Sequence, residues 1–280
     1  MGEEKYLNFQ IEDNGIYNAD CLFNYDQCGY HSVDLILTDL PYGTTACKWD
    51  SILPFDKLWE MIDYVLKPNG IFITTASQPF TSALIMSNPK MFKYEIIWQK
   101  SKSSNFTHAK NMPIKQHENI IVFSNAPIGH KVQLGDRRMK YNPQGLIKVD
   151  AKWKRPKKYY SDHRLKRESH KLERIIEFTN YPKSIFTKGN SDNNERGLHA
   201  TQKPVALMEY LLLTYSDKGD FVFDPCAGSG TTAIACENLE RDYICFEKDV
   251  EIYQKAKNRL DTHTKLGDSP KAGGLFSFLD

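Results

Sequence analysis

The residues best suited to chemistry stand in one short run, Thr38-Asp39-Leu40-Pro41-Tyr42. Asp39 offers a carboxylate that can accept hydrogen bonds from an amino group. Pro41 fixes its own φ and stiffens the turn, and Tyr42 brings a flat face on which a base can stack. The run follows Val33-Asp34-Leu35-Ile36-Leu37, an apolar segment that reads as a buried parallel strand. In a doubly wound α/β sheet, ligands bind outside the carboxyl ends of the strands. An ordinary turn uses the same Asp and Pro, so this run alone does not separate a turn from a site.

A second constellation tips the balance. Phe221-Val222-Phe223-Asp224 reads as a strand, Pro225-Cys226-Ala227-Gly228-Ser229-Gly230 as a glycine loop, and Thr231 to Leu239 as a helix. Glycines let a backbone approach a ligand closely and turn tightly into a helix. Glu247 ends the next strand, 17 residues past Gly230. That is close to the spacing of about 20 at which an acid holds ribose hydroxyls in nucleoside-binding sheets. Thr231 opens the helix, either as a cap or with that helix end facing a cofactor. Asp20, after a strand candidate at Gly15–Asn18, suits a cofactor adenine contact or a turn cap.

These positions need a sheet to hold them. Seven strands are predicted near residues 16, 35, 73, 96, 121, 222 and 244, alternating mostly with helices. The pattern predicts an α/β fold: a seven-stranded, mostly parallel, doubly wound Rossmann-like sheet with helices on both faces. Phe55 to Leu66 has helical spacing, ended by Lys67-Pro68-Asn69-Gly70. The polar loop from Gln99 to Gln116 is long for a compact domain and is read as functional or mobile. Past Ala126 periodicity fades, with one helix predicted over 162–178.

Charge marks out the same stretch. The chain has 280 residues and a net charge of +2, yet Lys131 to Lys188 carries 17 Lys and Arg against six Asp and Glu. This +11 block sits on a remainder of −9 and interleaves Tyr141, Trp153, Tyr159, Tyr160 and Tyr181. A basic block on an acidic body is the footprint of a nucleic-acid contact. The candidate DNA contacts are Lys102, Asn105, Arg137, Arg138, Lys154, Arg155, Lys157, Arg164 and Arg167; each of the arginines suits a phosphate contact or a solvated charge better than a base edge. The division expected is a catalytic half at 1–126, a basic insertion at 127–196, a cofactor half at 197–262 and a tail at 263–280.

The six cysteines form no Cys-x-x-Cys pair, so no metal is expected and reduced thiols in a cytoplasmic protein are. No apolar run approaches the roughly 18–20 residues of a membrane span.

Together these segments resemble the S-adenosylmethionine-dependent DNA amino-methyltransferases. Asp39-Leu40-Pro41-Tyr42 resembles their catalytic motif, usually Asp-Pro-Pro-Tyr, with Leu40 as the departure. Phe223 to Gly230 resembles their cofactor loop, and Glu247 matches their ribose-binding acid. His199-Ala200-Thr201-Gln202-Lys203-Pro204 resembles the segment leading to the cofactor-side helix, and His117-Glu118-Asn119-Ile120 a late sheet motif. The order of catalytic motif, basic insertion and cofactor loop is similar to the permuted beta class, in which target recognition lies between the halves.

The resemblance implies S-adenosylmethionine as cofactor and double-stranded DNA as substrate, with the target base flipped out. It implies catalytic roles for Asp39, Leu40, Pro41 and Tyr42, with Leu40 serving through its carbonyl. It implies a cofactor site of Asp20, His199, Thr201, Lys203, Asp224, Pro225, Ala227, Gly228, Ser229, Gly230, Thr231 and Glu247, with His199 and Lys203 toward the cofactor carboxylate. A leading Asp favours adenine N6, since cytosine N4 enzymes more often begin the motif with Ser. A protein-glutamine methylase places its cofactor loop first, and a nicotinamide dehydrogenase wants a third glycine where Ala233 stands. A binding module with a degenerate nucleotide fold would not be expected to keep Asp39, Gly228, Gly230 and Glu247. A homodimer and a restriction endonuclease partner stay open.

Overall fold

A computed structural model of the chain describes residues 14–44, 50–104, 106–154, 173–188 and 202–267. In chain order the strands are β1 Gly15–Asn18, β2 Val33–Thr38, β3 Leu66–Ala76, β4 Phe92–Ser104, β5 Lys115–Ser124, β6 Ile147–Lys154, β7 Glu173–Thr179, β8 Ile185–Lys188, β9 Phe221–Asp224 and β10 Asp242–Glu247. The helices are α1 Cys21–Asn24, α2 Phe55–Val65, α3 Phe80–Ser87, α4 Lys131–Leu134, α5 Val205–Tyr215, α6 Thr231–Leu239 and α7 Val250–Gly267.

Among the described residues, eight strands form the main sheet in the order β1-β10-β9-β2-β3-β5-β4-β8. The seven predicted strands are all in it, and Ile185–Lys188 adds an eighth beside β4. Pairing is parallel throughout except where β5 runs antiparallel to both β3 and β4. Period-two alternation sends side chains to two cores. Leu35, Leu37, Ile71, Ile73 and Val222 face one core with α5 and α6, while Ile36, Phe72, Phe123, Phe223 and Phe246 face the other with α2 and α3. Leu58, Trp59, Ile62 and Val65 line the inward side of α2, at the spacing that predicts them. The Lys67–Gly70 stretch does not separate α2 from the next strand: α2 passes directly into β3 at Leu66, and a register shift between Val33 and Leu35 absorbs the irregularity.

Two compact units are present. The first holds the sheet and its helices. It includes residues up to 142, because Met139 is buried in the core, Lys140 pairs with Asp217 (3.0 Å), and Asn142 N–H donates to the Thr214 carbonyl at 2.7 Å. The second, residues 143–183, contains the antiparallel pair β6–β7, with Asn180 donating to the Gly145 carbonyl at 2.8 Å. The helix predicted over 162–178 is corrected in its described part: Glu173–Thr179 is a strand. Arg174-Ile175-Ile176-Glu177-Phe178 carries no helical repeat, and pairing with β6 decides its conformation. No helix among the described residues is long and apolar enough to cross a membrane.

Candidate active site

Two strands set the position of the site. β2 passes through α2 to β3 on one side, and β9 passes through α6 to β10 on the other. The neighbours β2 and β9 therefore mark the point where the winding reverses, and a crevice opens at their carboxyl ends. A cleft of about 1110 Å³ lies there, with Asp39, Tyr42, Glu118, Lys203, Gly228 and Glu247 among its walls.

Asp39 follows β2 directly. Its Oδ1 accepts hydrogen bonds from the Tyr42 hydroxyl at 2.7 Å and from the Thr75 hydroxyl. Its Oδ2 accepts from the Lys203 ammonium at 2.7 Å. A carboxylate has about four lone-pair positions. Among the described residues three are used, and the fourth, on Oδ2, is open. Burial works against charge on Lys203, but Asp39 and Glu118 outweigh it and raise its pKa. Burial also pushes the Tyr42 hydroxyl up, with the Asp39 charge adding to the effect, so Tyr42 stands as a donor. The Tyr42 ring stacks on Phe80 with centroids 5.4 Å apart, and Lys203 Nζ lies 5.5 Å from its centroid. Leu40 is 3% exposed and belongs to the core that holds Phe80 and Phe223, which gives an apolar residue at the departing motif position a physical reason. The next turn is tied by Asp50, whose two carboxylate oxygens accept from the Gly43 and Thr44 N–H groups at 2.8 and 2.9 Å.

The loop after β9 is built differently, from main chain. Asp224 is 2% exposed, and burial pushes its carboxyl up to about 6, against the opposing pull of the neighbouring Thr232 hydroxyl and of the Cys226 N–H, which donates to it at 3.0 Å. Gly228 adopts φ +52° and donates its N–H to Glu247 Oε2 at 2.9 Å, while Glu247 Oε1 accepts from Asp249 N–H at 2.8 Å. Burial raises the Glu247 pKa, and these two N–H groups work the other way. Gly230 adopts φ +75°, where a Cβ would meet Ile16 Cδ1 at 2.7 Å, so its glycine serves packing under the loop. Arg259 holds the loop from below through the Ser229 carbonyl at 2.9 Å and the Thr231 hydroxyl at 3.1 Å.

The structure therefore brings Asp39, Leu40, Pro41, Tyr42, Asp20, Lys203, Asp224, Pro225, Ala227, Gly228, Ser229, Thr231 and Glu247 to one cleft. Asp20 caps α1 through Leu22 N–H at 3.1 Å and pairs with Lys248 at 2.6 Å. Lys203 turns to Asp39. His199, Thr201, Asn105, Arg155, Lys157, Arg164 and Arg167 lie outside the described residues, as does the side chain of Lys154. Lys102 and Arg137 are exposed and Arg138 is half-exposed, all three in the first unit. Sequence reading passes over Thr75 and, as a site group, Glu118; Lys100 enters only with the polar loop from Gln99, and Asp50 only with the loop after Tyr42. The signal for Glu118 was a carboxylate set between His117 and Asn119 on a strand that turns apolar one residue later.

A family model of DNA methylases, covering the N6 and N4 amino-methylases, matches residues 33–258. The type II methyltransferase M.HpaI of Haemophilus parainfluenzae is 29% identical over 254 residues, 85% of this chain and 71% of that one. The DNA adenine methyltransferase YhdJ of Escherichia coli K12 is 26% identical over 268 residues, 90% of this chain and 84% of that one. Among solved structures, the M1.HpyAVI–SAM complex aligns with a TM-score of 0.55 at 22% identity, over 88% of this chain and 98% of the other. With its cleft at the winding reversal, its Asp-Leu-Pro-Tyr strand end and its glycine loop, the chain belongs to the S-adenosylmethionine-dependent N6/N4 DNA methylase family.

Proposed function

We propose that the chain transfers the methyl group of S-adenosylmethionine to the N6 amino group of adenine in DNA. The observation that carries the reading is the Asp39 carboxylate at the cleft wall, braced on three of its lone pairs with the fourth open.

The residues of the loop suit the cofactor. Gly228 leaves nothing within 4 Å of where a Cβ would stand, and the Glu247 carboxylate beside it has capacity beyond its two N–H partners for ribose hydroxyls. Asp20 and Glu247 would hold the nucleoside end, and Ser229 and Thr231 the helix end beside it. When bound, S-adenosylmethionine supplies an electrophilic methyl group on sulfur.

The chain's own part concerns the amine. An exocyclic amine is a poor nucleophile because its lone pair is delocalised into the ring. Asp39 Oδ2 and the Leu40 carbonyl accept its two N–H bonds and favour the pyramidal nitrogen. As that nitrogen becomes cationic, the Asp39 charge stabilises it and then takes the proton it sheds. Tyr42 and Thr75 hold Oδ1 so that the carboxylate does not rotate away. The stack of Tyr42 on Phe80 stiffens a platform against which the flipped base rests. The basic 131–188 block supplies phosphate contacts.

The test is sequencing, with detection of modified bases, of DNA from cells that express the protein. N6-methyladenine at a fixed context is expected. N4-methylcytosine in its place would keep the methylase and overturn the adenine assignment.

A further inference from the structure

Lys203 stands between two carboxylates. Its Nζ is 2.7 Å from Asp39 Oδ2 and 3.3 Å from Glu118 Oε2. The other oxygen of Glu118, Oε1, is bonded to the Lys100 ammonium. Asp39, Lys203, Glu118 and Lys100 thus form a series alternating in sign, drawn from the end of β2, the approach to α5, and the facing strands β5 and β4. Lys203 is 8% exposed and Glu118 9%, so water screens this central pair little. The carboxyl of Glu118 is held below the usual range despite its burial, by Lys203 and Lys100.

A buried ammonium touching Asp39 has two effects on methyl transfer. It cancels much of the carboxylate's charge, and it repels a neighbouring nitrogen that is turning cationic. Both oppose the transition state, where the Asp39 charge is needed most. A second anion on the same ammonium removes both effects at once. We propose that Glu118 is a positioning residue for methyl transfer. It holds Lys203 and offsets its charge, so the open lone pair of Asp39 Oδ2 meets the target amine as an effective anion. Lys203 then braces Asp39 without silencing it, and Lys100 keeps Glu118 from being an uncompensated buried charge. The inference rests on the reading of Asp39 as the amine acceptor.

Single-turnover methyl transfer to unmethylated genomic DNA, at saturating tritiated S-adenosylmethionine, tests it through a double-mutant cycle. Glu118→Gln is expected to slow the chemical step about 10- to 100-fold when Lys203 is present, with KM values changing far less. In the Lys203→Met background the same substitution is expected to cost less than about threefold, because the charge to be offset is gone. Equal losses in both backgrounds, or no loss in either, would overturn the proposal, since a merely structural Glu118 has no reason to depend on the Lys203 charge. If Glu118→Gln does not fold, Glu118→Asp carries the same cycle, with a smaller loss that again disappears with Lys203→Met. Asp39→Ala separates the two levels. Undiminished transfer by that variant removes the reading of Asp39 itself, whereas a dead Asp39→Ala beside an additive Glu118 cycle removes only the role of Glu118.

Discussion

Asp39 and Asp224 invite comparison. Each stands at the carboxyl end of one of two adjacent parallel strands, at the point where the sheet reverses its winding. Asp39 has a side chain 29% exposed, set among a cation and two hydroxyls, and keeps one lone pair toward the cleft. Asp224 is 2% exposed, bonded by a main-chain N–H, and its carboxyl is pushed up by burial. The same residue type at equivalent strand ends keeps an open lone pair toward the cleft in one case and ties backbone in the other. Solvent access and charged partners decide which, and topology does not. Substitutions at the first should therefore appear in rate, and at the second in stability and its pH dependence.

The largest contrast is in rate. Asp39→Ala is expected to lower kcat by about 10² to 10³, as for other positioned electrostatic groups, with KM for DNA and cofactor nearly unchanged. A loss carried mainly by KM would make Asp39 a binding group and collapse the comparison.

Asp224 should answer to pH instead. Its folded-state pKa, about 6, lies above its ordinary value of 3.8, so the folded chain holds that proton more tightly than the unfolded chain does. The contribution to stability is fully present below about pH 4 and is lost as pH rises toward 6, by about 2–3 kcal/mol in total. Asp224→Asn does not titrate. Whatever constant cost it has from the altered hydrogen bonds, its stability relative to the wild type should rise by about that amount between pH 4 and 7. Urea unfolding across this range measures it, and parallel pH profiles for the two chains would contradict the assignment.

Within the loop, the two glycines should separate in the same way. Gly230→Val puts a branched side chain at φ +75° and a Cβ 2.7 Å from Ile16 Cδ1, so thermal unfolding should show a loss of about 2 kcal/mol. Gly228→Ala has open space around its Cβ, so it should cost about 1 kcal/mol in stability and show itself in cofactor affinity by calorimetry. Equal effects of both on affinity would return Gly230 to the cofactor surface.

Much of this was legible in the chain. The apolar run of β2, the helical spacing of α2 and the strand-loop-helix around Gly228 are local patterns, and local patterns report on local structure. The partners of Asp39 were not legible, because Lys203 lies 164 residues away and reaches it through the winding of the sheet. Lys203 resembled a cofactor contact because its segment leads into α5, and only the fold turns its ammonium to Asp39. Glu118 was hidden for a related reason: on an antiparallel strand its neighbours in sequence do not announce which strand end it will face. β7 departs from the helix expected over 162–178 because seven residues are too few to establish a period, and pairing with β6 decides the conformation. The extra strand β8 is four residues long and exists by pairing with β4.

The smallest effect tests what Tyr42 does at the first strand end. Its ring and its hydroxyl have separate tasks: the ring stacks on Phe80, and the hydroxyl bonds Asp39 at 2.7 Å and lies 2.9 Å from the Thr75 hydroxyl. Tyr42→Phe keeps the ring and removes the hydroxyl. Thr75 and Lys203 still hold Asp39, so the carboxylate loses one brace of three. One hydrogen bond to a charged group contributes about 1.5–3 kcal/mol, but two remaining braces and the room left for water reduce the loss, and a kcat lowered about fivefold is expected. Tyr42→Ala removes the platform as well, and stacking contributes about 1–3 kcal/mol per base. A 2-aminopurine at the target position should therefore gain fluorescence normally with Tyr42→Phe and weakly with Tyr42→Ala. If Tyr42→Phe left kcat unchanged while Tyr42→Ala abolished the fluorescence gain, Tyr42 would serve the base alone, and Asp39 would be held by Thr75 and Lys203 without it.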